Sequence, residues 1–503
     1  MDRVSEVSIP TLHGSHNQVW LFLEVIAMST HPLEEILHPR AIAVVGASAR
    51  TGQGPGFLES LCEFGYDGQI YPVNPKYSEI MGLKAYPSVR DIPGVVDYVI
   101  SSIPASQVLS MIADSAEKGV KAIHLFTARF SETGRQEAAE LEQEILRQAR
   151  KAGIRLIGPN CLGIYYPGGR ISFRGELPKE SGSVALISQS GSVVHEVVEF
   201  AAQRGLRFSK AFSYGNAIDF NECDYLEYLA QDPKTETIMM YVEGVRDGRR
   251  FFDVLRRTTA TKPVSIIKGG RGQSGTRATA SHTASLAGSM EVWETAVEQA
   301  GAITARHLAE LVDVATALYY LPPVQGRRVG VAGGAGGSSV LAADLCEEAG
   351  LDVIPLPAEI RQELKEKGNE VWDWIGNPAD MSIRIDRDFS VGDMLKIMAR
   401  NPNFDLLITF VHRHGSGSQQ KISTETFLKQ YCLGELNSKP LLAVMEEQAQ
   451  DSDGHDDQSG AKALMAEVKA RLMALGIPIY PSIEQAAIAA SKLIDYYQRR
   501  AAR

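Results

Sequence analysis

Short, continuous apolar runs alternate with helix-length amphipathic stretches along most of the chain. From residue 40 the runs "AIAVVGAS", "GQIYPVNP", "DYVISSIP", "KAIHLFTA" and "IRLIGPNC" read as strands, and the stretches 105–118 and 132–151 between them read as helices. Strands that are apolar throughout, separated by amphipathic helices, predict a parallel sheet covered on both faces. This first unit spans 35–165, preceded by an N-terminal extension over 1–34. After "PKESG" the pattern resumes with "SVALISQSG", "FSKAFSYG", "ETIMMYVEG", "KPVSIIKGG" and "GAITA", giving a second unit over 170–322. After "LPPVQG" a third series, "RRVGVAGGAGG", "LDVIPLP", "FDLLITFVHR", "KPLLAVM" and "IPIYPS", closes with a helix over 483–500 and gives a third unit over 326–503. The predicted fold class is therefore α/β, with three tandem doubly wound parallel-sheet domains and no short-period repeat.

A chain of 503 residues, 44% hydrophobic and 22% charged, agrees with about three globular domains of roughly 150 residues. The net charge of −10 argues against nucleic acid or an anionic membrane as the main partner, yet leaves room for a basic pocket that takes a phosphorylated ligand. Cys62, Cys161, Cys223, Cys346 and Cys432 are far apart, form no CxxC pair and suggest neither a disulfide framework nor a zinc site. No metal site and a cytoplasmic location are expected. The apolar run "VWLFLEVIAM" (19–28) is interrupted by Glu24 and is too short for a bilayer span. Residues 1–27 carry no clear pattern and Met28 opens a segment running straight into the first unit, so the true start is expected downstream of residue 1. The stretch 446–460 is acidic and polar, and reads as a solvated loop rather than a cation site built around His455.

Three places hold candidate chemistry. The first strand turns at "VVGASARTGQGPG", where Gly46, Gly52, Gly54 and Gly56 permit a phosphate to approach the backbone at a helix N-terminus. The second strand ends in "PVNPK", placing Lys76 where a dinucleotide site carries an acidic residue for the ribose. A lysine there suits an extra phosphate, such as the 3′-phosphate of coenzyme A, or is a surface lysine after a turn. In the second unit "SVALISQSGSVV" leads from a strand through Ser188, Ser190, Gly191 and Ser192 into a helix. Free amides and the positive end of the helix dipole favour a phosphoryl group there, and plain N-capping by Ser190 is the alternative. Glu243 ends another strand, and His282 lies in the small-residue stretch "ATASHTASLAG". Neutral imidazole accepts a phosphoryl group on one nitrogen when a carboxylate holds the other N–H, so the pair can build a phosphohistidine site. A loop histidine and a solvated strand end are the other reading of those two residues.

The stretches "HPRAIAVVGAS", "IYPVNPK", "IGPNCLGI", "ISQSGSVV", "YLEYLAQDPKTETIMMYVEGV", "KGGR", "RATASHTASLAG" and "GNPAD" occur in this order. On them the chain resembles the α subunit of NDP-forming acyl-CoA synthetases, the ADP-forming acetate–CoA ligases, which are related to the succinyl-CoA synthetase α subunit. The resemblance covers residues 32–500 and implies a Rossmann-like CoA-binding domain followed by two flavodoxin-like ligase domains. It implies His282 as the phosphate-carrying histidine, Glu243 as its carboxylate partner, and Ser190, Gly191 and Ser192 as the phosphoryl cradle. It further implies CoA contacts from Gly46, Ala47, Ser48, Lys76, Ile103, Pro104, Phe126, Thr127 and Ala128, and substrate contacts from His195, Gly215 and Asn216.

The implied reaction turns a carboxylic acid, CoA and ATP reversibly into acyl-CoA, ADP and phosphate through an acyl phosphate and a phosphohistidine. An ATP-grasp module needs on the order of two hundred residues, for which three α/β units leave no space. ATP and Mg are therefore expected on a separate ATP-grasp β subunit, in an α2β2 assembly. The chain departs from the family at Ala284, where relatives carry glycine, and at "AGGAGGSS", where they read "TNAGGPG". A CoA-binding regulatory protein without turnover is the alternative function. An NAD-dependent oxidoreductase is disfavoured by Lys76 and the missing acidic residue.

Overall fold

The computed structural model describes residues 31–48, 56–275, 277, 289–367, 372–381, 389–411, 439–445 and 458–502. Strands β1 (Ala41–Val45), β2 (Gln69–Val73), β5 (Tyr98–Ser101), β6 (Ala122–Leu125) and β7 (Arg155–Ile157) form one parallel sheet in the order β2-β1-β5-β6-β7, beside a small ribbon of β3 (Glu79–Ile80) and β4 (Leu83–Lys84). A second sheet has the order β13-β12-β11-β9-β10-β8, from β8 (Gly163–Tyr165), β9 (Val184–Ser188), β10 (Phe208–Ser213), β11 (Thr237–Val242), β12 (Val264–Lys268) and β13 (Ile303–Thr304). A third has the order β15-β14-β16-β17-β18, from β14 (Val329–Gly334), β15 (Ala379–Asp380), β16 (Leu406–Phe410), β17 (Leu441–Val444) and β18 (Ile479–Tyr480). Leaving β8 aside, each sheet starts with a central strand, places the next on one side and the remaining three on the other. The reversal after the first strand opens a crevice at the carboxyl ends of the first and third strands of each sheet.

The sequence pattern explains the layering. Ile42 and Val44 of β1 face one apolar core while Ala43 and Val45 face another, as a strand buried on both sides requires. The first of these cores runs without a break from the first sheet into the second. The helix Leu308–Tyr320 is buried on nearly every side because it packs on β11 and β12 and also on the last helix, Ile483–Ala501, of the third unit. At its middle Arg204 reaches Asp313 at 3.2 Å and donates to the carbonyl of Ile479 at 2.6 Å, with Gln485 donating to Asp313 at 2.6 Å. Burial pushes the Asp313 carboxyl up despite Arg204. The first and third sheets share one further device. Arg40 clasps Asp97 through its backbone N–H, Nε and Nη2 at 2.8, 2.9 and 2.8 Å, and Arg328 clasps Asp405 in the same way at 2.9, 2.9 and 2.8 Å. These hydrogen bonds hold both carboxyls below their ordinary range.

Two expectations need correction. "LDVIPLP" is not a strand: Asp352 makes one isolated bridge to Arg328, and Ala379–Asp380 takes the place beside β14. Pro355 and Pro357 have no N–H to give to a ladder. The second sheet is not wholly parallel, because Gly163–Tyr165, within the stretch expected to close the first unit, pairs antiparallel with β10. The helices expected over 105–118 and 132–151 each begin with a 3-10 turn and run over Val108–Glu117 and Gln136–Lys151. Among the described residues no helix is long and apolar enough to cross a membrane, and no group of three or more His, Cys, Asp or Glu is placed to hold a metal ion.

Candidate active site

The first crevice lies where β1, β2, β5 and β6 end. Gly46 has φ +90°, and a Cβ there would stand 2.9 Å from Ser102 Oγ and 3.2 Å from Ile103, so the turn admits only glycine. Its N–H is held by Val73 O at 2.9 Å, while Asn74 Nδ2 donates to Ala47 O at 2.7 Å. Asn74 Oδ1 in turn accepts from the backbone N–H of Lys76 at 3.0 Å, leaving the Lys76 side chain exposed at the rim. On the other side of β1, Thr127 Oγ1 donates to Ile103 O at 2.6 Å, which ties the β5 and β6 ends together. Gly46, Ala47, Ser48, Ile103, Pro104, Phe126, Thr127 and Ala128 thus come together at one edge. Gly52 and Gly54 of the glycine-rich turn lie outside the described residues, and Gly56 caps the helix Phe57–Phe64 with φ +61°.

The second crevice joins β9 to β11. Ser190 has extended backbone and caps the helix Gly191–Gln203, its Oγ accepting from Val193 N at 3.5 Å and lying 3.1 Å from Ser192 Oγ. Ser188 Oγ donates to Ser190 O at 2.8 Å beneath the turn. Gln189 bridges the two strands: its N–H donates to Tyr241 O at 3.0 Å, and its Oε1 accepts from the N–H groups of Glu243 and Gly244 at 2.7 and 3.2 Å. Glu243, only 4% exposed, is fixed beside the Ser190 turn and also receives Tyr241 OH at 3.3 Å. Behind it Lys268, the last residue of β12, donates to the carbonyl of Glu243 and to that of Gly269 at 2.9 Å. Burial depresses the Lys268 ammonium below its ordinary range. A buried carboxylate, a serine-rich helix N-terminus and a buried cation at one switch point can hold a phosphoryl group and the nitrogen that carries it.

The two crevices are joined by the loop 158–162. A Cβ on Gly191 would meet Leu162 Cγ at 3.1 Å, and one on Gly215 would stand 2.0 Å from Pro159 O, so both glycines let this loop pass. Leu162 N donates to Ser213 Oγ at 3.1 Å. Asn216 is 3% exposed and turns away from the crevice, its Nδ2 donating to Glu132 and Glu142 of the first unit at 2.7 and 2.9 Å. His195 stands one turn into its helix, its Nε2 3.9 Å from Glu176 and 3.8 Å from Glu199. His282, together with Thr283 and Ala284, lies outside the described residues. Sequence reasoning missed Gln189, Lys268, Asn74 and Leu162. Gln189, Asn74 and Lys268 stand at or just past strand ends, as Glu243 does, and that position was their one signal; Leu162 carried none.

Comparison with protein families gives the class. Residues 40–167 match the CoA binding domain and residues 181–318 the succinyl-CoA ligase like flavodoxin domain, so this is a CoA-ligase architecture. The chain is 35% identical over 466 residues to the ADP-forming acetate–CoA ligase II subunit alpha of Pyrococcus furiosus, covering 92% of this chain and 97% of that one. The ADP-forming acetate–CoA ligase I of Archaeoglobus fulgidus is 36% identical over 388 residues, covering 75% of this chain but 55% of its own length. The structure of dinucleotide forming acetyl-coenzyme A synthetase 1 of Ca. Korarchaeum cryptofilum, in complex with phosphate and ADP, superposes with a TM-score of 0.77 at 32% identity, covering 93% of this chain and 97% of that one. The chain belongs to the family of ADP-forming acetate–CoA ligase α subunits.

Proposed function

We propose that this chain carries the acyl half-reactions of a ligase that converts a carboxylic acid, CoA and ATP reversibly to acyl-CoA, ADP and phosphate. The observation that carries the reading is Glu243, buried beside the Ser190 turn at the switch point of the second sheet. In the forward direction His282 bears the phosphoryl group while Glu243 accepts the other imidazole N–H. An oxygen of the substrate carboxylate attacks phosphorus, the P–N bond breaks, and acyl phosphate and neutral imidazole result. The Ser190, Gly191 and Ser192 turn holds the phosphoryl oxygens through amides and hydroxyls. CoA sulfur then attacks the acyl carbon, the C–O bond to phosphate breaks, and the thiol proton leaves with phosphate. CoA lies along the Gly46 crevice, where the tight glycine turn brings the ends of β1 and β5 together, with Lys76 at the rim for its ribose phosphate.

ATP and Mg belong to an ATP-grasp β subunit in an α2β2 assembly, in a cytoplasmic enzyme. The lengths of the relatives support a second chain: the one named as an α subunit is covered almost completely, while the Archaeoglobus fulgidus ligase, not so named, extends well beyond the match. The test is to mix the chain with an ATP-grasp partner and γ-labelled ATP, then measure acid-labile, base-stable label. Label on wild type and none on His282→Ala is expected. No label on wild type, or equal label on both, overturns the assignment, and label without acyl-CoA formation from any acid identifies a regulatory protein instead.

A further inference from the structure

A groove of about 330 Å³ opens between the carboxyl ends of β12 and β13, the helix Met290–Ala300 and the last helix, Ile483–Ala501. Lys268, Arg271, Arg306, Lys492 and Arg499 line it, a concentration of cations at odds with a chain whose net charge is −10. Three carboxylates also border the groove, and the Glu243 carboxyl acts on Lys268 from the second crevice. Glu294 and Glu298 are exposed, with Glu294 no nearer than 3.8 Å to Arg271, and Asp495 is held by Arg327. Lys492 is paired with Glu310 at 2.6 Å. Lys268 is 7% exposed and has backbone carbonyls as its hydrogen-bond acceptors. Arg499 Nε is shut off from solvent, and among the described residues nothing accepts its hydrogen. Buried donors of this kind are normally satisfied, and guanidinium and ammonium groups facing one cavity call for an acceptor with several negative oxygens.

We propose that this groove is a second anion site, separate from the Ser190 turn, that takes a phosphate-bearing small molecule. Arg499 and Arg306 supply planar donors to the groove, and Lys268 supplies further charge. Trp293 lines the same groove, stacked on Phe251 with ring centroids 5.5 Å apart and with Lys268 Nζ 5.9 Å from its ring. Lys268 also links the groove to the carbonyl of Glu243, so an anion that draws Lys268 forward acts on the carboxylate at the second crevice. That coupling, unlike the binding, rests on the function proposed above.

The test follows Trp293 emission in the full chain, alone and with its ATP-grasp partner, during titration with inorganic phosphate, pyrophosphate and ADP. A saturable change is expected that disappears in Trp293→Phe, weakens at least about tenfold in Arg499→Glu and in Arg306→Glu, and weakens by a smaller factor in Arg499→Lys, which keeps the charge and loses the planar fork. Ser192→Ala, which alters the other anion site, is expected to leave the signal unchanged. A response to all three ligands identifies a single phosphate as the unit recognised, and a response to pyrophosphate and ADP alone identifies a diphosphate. No saturable change in wild type, a signal that survives in Trp293→Phe, or equal affinity in Arg499→Glu overturns the proposal. Loss of ligase activity in all forms with the binding pattern intact overturns the proposed function and not this site.

Discussion

The second and third sheets have the same strand order apart from β8, and the helix after the first strand begins with glycine in both (Gly191 and Gly336), yet the side chains around the two crevices differ. The helix after the first strand is capped by Ser190 in one and Ala335 in the other. Just past the third strand stand Glu243 and Val411, and the fourth strand ends in Lys268 or in Val444. Topology therefore supplies the crevice twice, and side chains suited to a phosphoryl group line only the second sheet's. The third sheet instead serves as a buttress: its last helix packs on Leu308–Tyr320 and walls the cationic groove.

The comparison is broken most severely at its carboxylate. Glu243→Gln is expected to lower kcat/KM on the order of 10³-fold, roughly 4 kcal/mol of transition-state stabilisation, in a coupled assay of acyl-CoA formation. Val411→Gln, at the equivalent place in the third sheet, is expected to stay within about threefold. If the two variants lose activity equally, the division of labour between the sheets is wrong. The seam between them comes next. Arg204→Met leaves the buried Asp313 carboxylate uncompensated and is expected to cost about 3 kcal/mol, read as a lower urea midpoint, whereas an unchanged midpoint would show that the pair holds nothing together.

A pH test separates the first sheet from the other two. His124 in β6 is fully buried against Cys161 O at 2.9 Å and Phe57, and burial lowers its pKa to about 4. Because the folded state binds the proton less readily than the unfolded one, stability is expected to fall as pH drops from about 6.5 to about 4, by at most about 3 kcal/mol, and not to change further through this group below that. His124→Gln is expected to flatten the fall of Tm across this window, and a slope equal to wild type would remove His124 as its source. The smallest effect is at the caps. Ser190→Ala is expected to destabilise, and Ala335→Ser to stabilise, by about 1 kcal/mol or less in thermal unfolding.

The strands around each crevice were legible because a doubly covered strand is apolar throughout, and β1, β9, β11 and β12 fall within the runs read from the pattern. "LDVIPLP" misled because an apolar run with two prolines has the composition of a buried strand and lacks its donors. Three-residue β8 escaped because its pairing with β10 is set by contacts between units. The same limit applied to the site. Gly46, Ser190 and Glu243 announced themselves by lying just past strand ends; Gln189 lies there too, but its bridge across strands, like the contacts of Leu162 across units, leaves no local signal. For Asn216, which the resemblance implies as a substrate contact, the amide donates to Glu132 and Glu142, partners more than 70 residues away that no motif could supply.

The antiparallel strand Gly163–Tyr165 has a practical bearing on dissection of this enzyme. The two matched family regions meet between residues 167 and 181, which invites division of the gene there. A cut at that point would send β8 away with the amino-terminal fragment and strip the other fragment of its edge, baring the donors and acceptors of β10. The carboxy-terminal fragment would then tend to self-associate through that open edge, and co-expression of both fragments would restore the missing strand in trans.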